Sequence, residues 1–207
     1  MAHDHDQHDH DHDHDEEHFH GPVEDEDTEL DREQAVRKRM ALAQIRQYPD
    51  PVLRLRANEI ESFDRDLAQL GERMKTLMRD ARGIGLAANQ VGVLRRLFIF
   101  DLDDETPVAL VNPTITARGG EPESSEEGCL SLQGVLVPVE RPTEVTIEGK
   151  DETGQAVRYE LEGLPARCVQ HELDHLDGVL ILERTTPEGR RAALKALRPQ
   201  PILQSAE

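Results

Sequence analysis

His171-Glu172-Leu173-Asp174-His175 sets two imidazoles four residues apart with a carboxylate beside the first. On a helix, positions i and i+4 share a face, so both rings can reach one ion, and Glu172 can handle the proton of a water next to it. The chemistry this predicts is metal-assisted hydrolysis. Two histidines do not complete such a site, because a catalytic ion usually takes three protein ligands and keeps one position open. A third histidine six residues further on is missing, since that position is Ile181. Glu183 and Glu188 follow with nothing to mark them as ligands. The other candidate is Cys129, in Glu127-Gly128-Cys129-Leu130-Ser131. A thiolate with two imidazoles suits Zn²⁺ or Fe²⁺, although a loop cysteine taken alone is more often a small buried side chain.

These residues need elements to hold them. A helix is expected from about Pro165 to Leu176, ended by Asp177-Gly178. The clearest helix is Asp64 to Ala81, where Leu67, Leu70, Met74, Leu77 and Met78 form one apolar stripe. Shorter helices are expected over Arg32 to Gln47 and, basic in character, over Pro187 to Leu197. Between them lie β-rich runs: Leu97 to Phe100, Val108 to Val111, Val135 to Val139, Val145 to Ile147 and Val157 to Leu161. Pro138 marks its strand as an edge or an irregular one. Without regular βαβ alternation, the class is α+β with a mostly antiparallel sheet.

Of the 207 residues, the first 31 stand apart. They hold eight of the ten histidines and fourteen acidic residues, with no Lys or Arg. Without them the charge falls from -19 to -5, 29 acidic residues against 24 basic. The acidity is local and argues against a general affinity for DNA or an anionic membrane. Residues 1–31 read as a disordered tail able to chelate extra metal ions, 32–43 as a connecting, helical segment, 44–198 as the catalytic domain and 199–207 as a C-terminal tail. Two cysteines cannot build a disulfide framework. With no signal peptide, transit peptide or apolar run of ~20 residues, a soluble cytoplasmic protein is expected.

Three segments in order carry a resemblance. Gly83-Ile84-Gly85-Leu86-Ala87-Ala88-Asn89-Gln90, then Glu127-Gly128-Cys129-Leu130-Ser131, then Gln170-His171-Glu172-Leu173-Asp174-His175-Leu176-Asp177-Gly178 resemble the three signature motifs of the peptide deformylases, over about residues 44 to 198. Tyr48-Pro49-Asp50-Pro51-Val52-Leu53-Arg54 is similar to how those enzymes begin. The resemblance implies a deformylase-like α+β fold around a central HExxH helix, in a bacterial cytoplasmic enzyme that removes the formyl group from N-formylmethionyl nascent chains. It implies one divalent ion on Cys129, His171 and His175, typically Fe²⁺, with Zn²⁺, Ni²⁺ or Co²⁺ able to substitute. Glu172 would be general base and acid, and Gln90 with the backbone N–H of Leu130 would face the developing oxyanion. Ile84 and Gly85 would pair with the substrate backbone, and Gly128 and Cys168 would line its site. Arg141 would pair with Glu127 behind the metal loop. A C-terminal basic helix, here with Arg190, Arg191, Lys195 and Arg198, can dock such enzymes on ribosomes.

Two positions depart from the pattern. Gln133 stands where members often have proline, and Leu136 where they often have arginine seven residues after the cysteine. A deformylase relative of altered specificity, a zinc endopeptidase and a metal-storage protein built on the His-Asp tail are the competing readings. The glycines Gly83 and Gly85 are expected to supply φ > 0 or a close backbone approach.

Overall fold

The computed structural model describes residues 26–102 and 106–198. Residues 1–25 of the expected tail and the C-terminal 199–207 lie outside the described residues. Strand β2 (Leu97–Asp101) shows how the fold is organised. Leu97, Phe98, Ile99 and Phe100 are all fully buried, so both faces of the pleat are covered. Leu97 and Ile99 pack with Leu67, Met74 and Met78 of helix α2 (Arg65–Asp80). Phe98 and Phe100 point the other way, onto Ala166, Val169 and Leu176 of helix α3 (Gly163–Leu176). The domain is therefore helix, sheet, helix in section.

That sheet has five antiparallel strands in the order β1-β2-β3-β6-β7, with β1 (Gly85–Ala87) at one edge, β3 at Pro107–Gly119, β6 at Glu144–Lys150 and β7 at Ala156–Glu162. A separate hairpin pairs β4 (Glu123–Gly128) with β5 (Leu136–Arg141). Pro138 lies opposite Glu126 in that two-stranded ladder, where a missing N–H is tolerated. Val137 and Val139 of β5 join Leu132, Leu180, Ile181, Leu182 and Ala193 in a third cluster, which brings in the short helix α4 (Ile181–Arg184) and α5 (Pro187–Ala196). The architecture is α+β and mostly antiparallel, as the pattern of apolar runs predicts.

The local rules hold at the ends of the elements. Asp64 caps α2 by accepting from Leu67 N–H at 3.0 Å. Helix α3 stops in a Schellman turn: Gly178 N–H bonds His175 O and Val179 N–H bonds Asp174 O, with Gly178 at φ +75°. A Cβ there would come within 2.5 Å of the Arg54 carbonyl oxygen, so the chain needs glycine at this point.

Three expectations are corrected. The first helix, α1, is Glu26–Leu42 rather than Arg32 to Gln47, and begins inside the stretch read as tail. Strands β1 and β4 were not expected, the first because it is three residues long, the second because Glu-Ser-Ser-Glu-Glu-Gly has no apolar alternation. Of the two alternatives expected for Gly83 and Gly85, positive φ is absent, the left-handed residue there being Arg82 at +58°, and close approach holds.

This layering makes unequal demands on apolar positions. Phe98→Ala should destabilise by about 3–5 kcal/mol, read as a lower urea midpoint with unchanged slope. Val36→Ala, on the exposed face of α1, should change stability by less than about 0.5 kcal/mol.

Candidate metal centre

The three apolar clusters meet at one spot, and each delivers part of the site. Helix α3 presents His171 and His175 one turn apart, ring centroids 4.8 Å from each other and planes inclined by 69°. Their Nε2 atoms are 3.1 Å apart. Cys129, just past β4, brings Sγ to 3.2 Å from His175 Nε2. The three ligand atoms all lie within 4.8 Å of one another, and among the described residues they are the one such group of possible metal donors. Bonds of ~2.0–2.3 Å in tetrahedral array separate ligand atoms by roughly 3.3–3.6 Å, close to the two separations of 3.1 and 3.2 Å, so the donor set could hold a small divalent ion. Glu183 and Glu188 are elsewhere: Glu183 pairs with Arg54 and receives Leu180 N–H, and Glu188 pairs with Arg191 on the surface.

Behind the cage lies a network of buried charge. Glu127, 6% exposed, accepts from Arg141 Nε at 2.6 Å, Arg141 Nη2 at 2.9 Å and Arg167 Nη1 at 2.9 Å, and its Oε2 sits 3.1 Å from His171 Nδ1. Arg141, 5% exposed, turns its remaining nitrogen to Asp174 at 2.9 Å, and Arg184 grips Asp174 from the far side. Burial alone would raise the Glu127 carboxyl, but the bonds from His171 and Arg141 outweigh it and hold the group at about 2. The carboxylate fixes the His171 ring with Nε2 facing the cage. Burial opposes charge on His171 too, yet Cys129 and Glu127 lift it well above the usual imidazole range. Surroundings that favour a proton on His171 also favour a cation at its Nε2. Burial keeps His175 well below that range, so it offers a free lone pair.

Glu172 faces the same space with a different environment. It is 3% exposed, its Oε2 has no hydrogen-bond partner among the described residues, and burial pushes its carboxyl up to about 7. Gln90 sits in the 3-10 turn Ala88–Val91. Its Oε1 accepts Ala87 N–H at 2.8 Å, which turns Nε2 toward Ser131 Oγ at 3.1 Å and Cys129 Sγ at 3.7 Å. Ser131 N–H also donates to the sulfur, at 3.4 Å. Leu130 is held by Gln47, whose amide donates to its carbonyl at 2.9 Å.

A cleft of about 700 Å³ opens over these groups, and Ile84, Gly85, Gly128, Leu130 and Cys168 all line it. A Cβ on Gly85 would stand 2.7 Å from Cys168 Sγ and collide with Glu172. The glycine is thus a matter of close approach. Cys168 is buried, its thiol pushed well up by that burial, and it donates to Ile84 O at 3.3 Å instead of joining the cage. Gln133 and Leu136 lie on the cleft rim, Leu136 being 64% exposed. Sequence reasoning assigned no role to Arg167 or Arg184, nor to Ser131, Asp174 and Asn89, although these three stand inside the motif segments; the Asn89 amide donates to the His175 carbonyl. Spacing offered a hint for two of them: Arg167 and Asp174 lie four residues before and three after His171, on its helix face.

With this geometry in hand, the likenesses to known proteins are specific. Residues 42–191 match the family model described as polypeptide deformylase. Peptide deformylase 1 of Corynebacterium efficiens is 44% identical over 162 residues, 77% of this chain and 96% of that protein. The peptide deformylase of Clostridium botulinum is 47% identical over 147 residues, 71% of this chain and 99% of that protein. The crystal structure of the Synechococcus elongatus enzyme, in complex with actinonin, superposes with a TM-score of 0.70 at 40% identity, over 75% of this chain and 91% of that one. On the family match and on identities above two-fifths across most of the chain, with a cage that joins Cys129 of one motif segment to His171 and His175 of another, this chain belongs to the peptide deformylase family.

Proposed function

We propose that this protein hydrolyses the N-formyl group of N-formylmethionyl peptides, with Cys129, His171 and His175 holding one divalent ion. The observation that carries the reading is the convergence of those three donor atoms beside Glu172, a buried carboxylate with an oxygen left unpartnered in a peptide-sized cleft. The ion, when bound, lowers the pKa of a coordinated water towards ~7 and polarises the carbonyl it meets.

The chain supplies the rest. Glu172, poised near neutrality, takes the water proton and returns it to the leaving nitrogen, as one carboxylate can do in both directions. The formyl C–N bond breaks, the water oxygen stays on carbon, and formate and a free amine leave. Gln90 Nε2 and the N–H of Leu130 donate to the oxygen on which charge develops; Gln90 is already oriented by its bond from Ala87. The peptide adds along the open edge of β1, where Ile84 and Gly85 line the cleft. Cys168 and Gly128 shape the pocket beside it. Fe²⁺ is the ion proposed; Zn²⁺, Ni²⁺ and Co²⁺ suit the same mixed thiolate-imidazole set.

The remaining assignments extend this reading. Residues 44–198 form the catalytic domain in a bacterial cytoplasm, and no helix among the described residues is long and apolar enough to cross a membrane. Ribosomal RNA is the proposed partner of α5, whose Arg190 and Arg191 pair within the protein while Lys195 and Arg198 form no ion pair among the described residues. Extra metal ions are the proposed ligands of the His-rich segment, which lies outside the described residues.

Protein purified without oxygen, assayed for formate from formyl-Met-Ala-Ser beside an internal-peptide substrate, tests the whole. A fully metallated protein that leaves the formyl peptide intact would end the reading. Glu172→Ala should keep about one ion per chain yet lose on the order of 10²–10⁴ in kcat. Gln90→Ala should cost about 10²–10³ in kcat. Arg141→Ala should weaken Zn²⁺ or Co²⁺ affinity about 10–100-fold in competition with a chelator; unchanged affinity would mean that Arg141 does not steady the cage.

A further inference from the structure

Helix α1 lies almost wholly ahead of the family match. The match begins at residue 42, the last residue of α1, and the Clostridium relative uses 99% of its length on 147 matched residues, leaving no segment for an equivalent helix. Yet α1 helps wall the cleft, through Lys38 and Leu42. Arg82 lines the same cleft. Arg82 ends α2 in the left-handed conformation, φ +58°, with Gly83 N–H bonded back to Met78 O. Glycine is the usual residue at such a turn, and an arginine accepts strain there. What its side chain gains is a bond to Gln34 of α1, which ties that helix to the cleft.

Two of the cations lining the cleft have no anionic partner among the described residues. Arg167 also lines the cleft, but Glu127 and two carbonyls occupy it. Lys38 has no ion pair among the described residues, and the partner seen for Arg82 is a neutral amide. Leu136 and the acidic Glu126 line the cleft as well.

Position along the cleft indicates what these cations meet, on the reading that a formylated peptide lies against β1. The formyl end sits at Cys129 and Gln90. The peptide then runs back along the chain, past Gly85 and Ile84 toward Arg82, three residues before Gly85. We propose that Lys38 and Arg82 form a cationic rim that selects substrates with an acidic side chain at the third or fourth residue.

The test compares formyl-Met-Ala peptides carrying Glu or its isostere Gln at position three, four or five, using full-length metallated enzyme. Expected is a kcat/KM about three- to fivefold higher for Glu at three or four, expressed in KM. It should vanish near 0.5 M NaCl, where the screening length is about 4 Å. In Lys38→Glu/Arg82→Glu the ratio should fall below one. Arg82→Gly relieves the left-handed turn, so it should hold or raise Tm while reducing the preference, and Arg82→Lys should restore part of it. Equal turnover of Glu and Gln peptides by the wild type, or a preference that survives charge reversal, overturns the rim alone. Formate from neither peptide overturns the deformylase reading and the rim with it.

Discussion

An ionised carboxylate can be buried only if its lone pairs are matched, and Glu127 meets that condition with Arg141 twice, Arg167 and His171. Those partners come from different elements: Glu127 from β4, Arg141 from β5, Arg167 and His171 from α3. Asp174 extends the lock by sharing Arg141 and adding Arg184 from α4. Removing one member of such a buried set typically costs about 3–5 kcal/mol, because it strands the others. The lock fixes the hairpin against the helix. Cys129, two residues past Glu127, is thereby held at the ring of His175 and within reach of His171, and the metal cage follows from the charge network behind it.

The third wall is secured by different means. Gln90 and Gly85 belong to the β1 edge, fixed by the apolar packing of β2 between α2 and α3 rather than by ions. Asn89 joins this wall to α3 through the His175 carbonyl. The two histidines are therefore steadied from opposite sides, His171 by a carboxylate on its ring and His175 through its backbone. A site built at the junction of three clusters has little room to drift, which suits chemistry that depends on oriented donors.

How far this was legible in the sequence depended on the kind of signal. The stripe on α2 announced itself because one-sided burial on a helix leaves a period, and Leu97 to Phe100 because a strand covered on both faces leaves an unbroken apolar run. Glu123–Gly128 left none, since its strand is held by ladder bonds to β5 and by Arg167 on the Glu123 carbonyl. His171 and His175 were readable from their spacing. Cys129 was not, because a ligand from a distant loop has no spacing to show; only the family motif around it singled it out. Arg167, Asp174 and Arg184 received no role, since nothing in one sequence says that a charged residue is buried. The left-handed turn was sought at the glycines and found at Arg82, where tertiary contacts decide the matter.

Glu127 and Glu172 show how one fold gives two glutamates opposite duties across the same histidine. Both are buried, and burial raises both. Glu127 receives four contacts from positive or protonated groups and ends at about 2, a permanent charge that orients His171. Glu172 has an oxygen without a partner and ends at about 7, able to exchange a proton near neutrality. Had the donors been shared evenly, the ring would lose its anchor and the base would lose its affinity for a proton. The division of hydrogen bonds between the two carboxylates, more than the presence of either, makes proton transfer at this site compatible with a cage that keeps its shape.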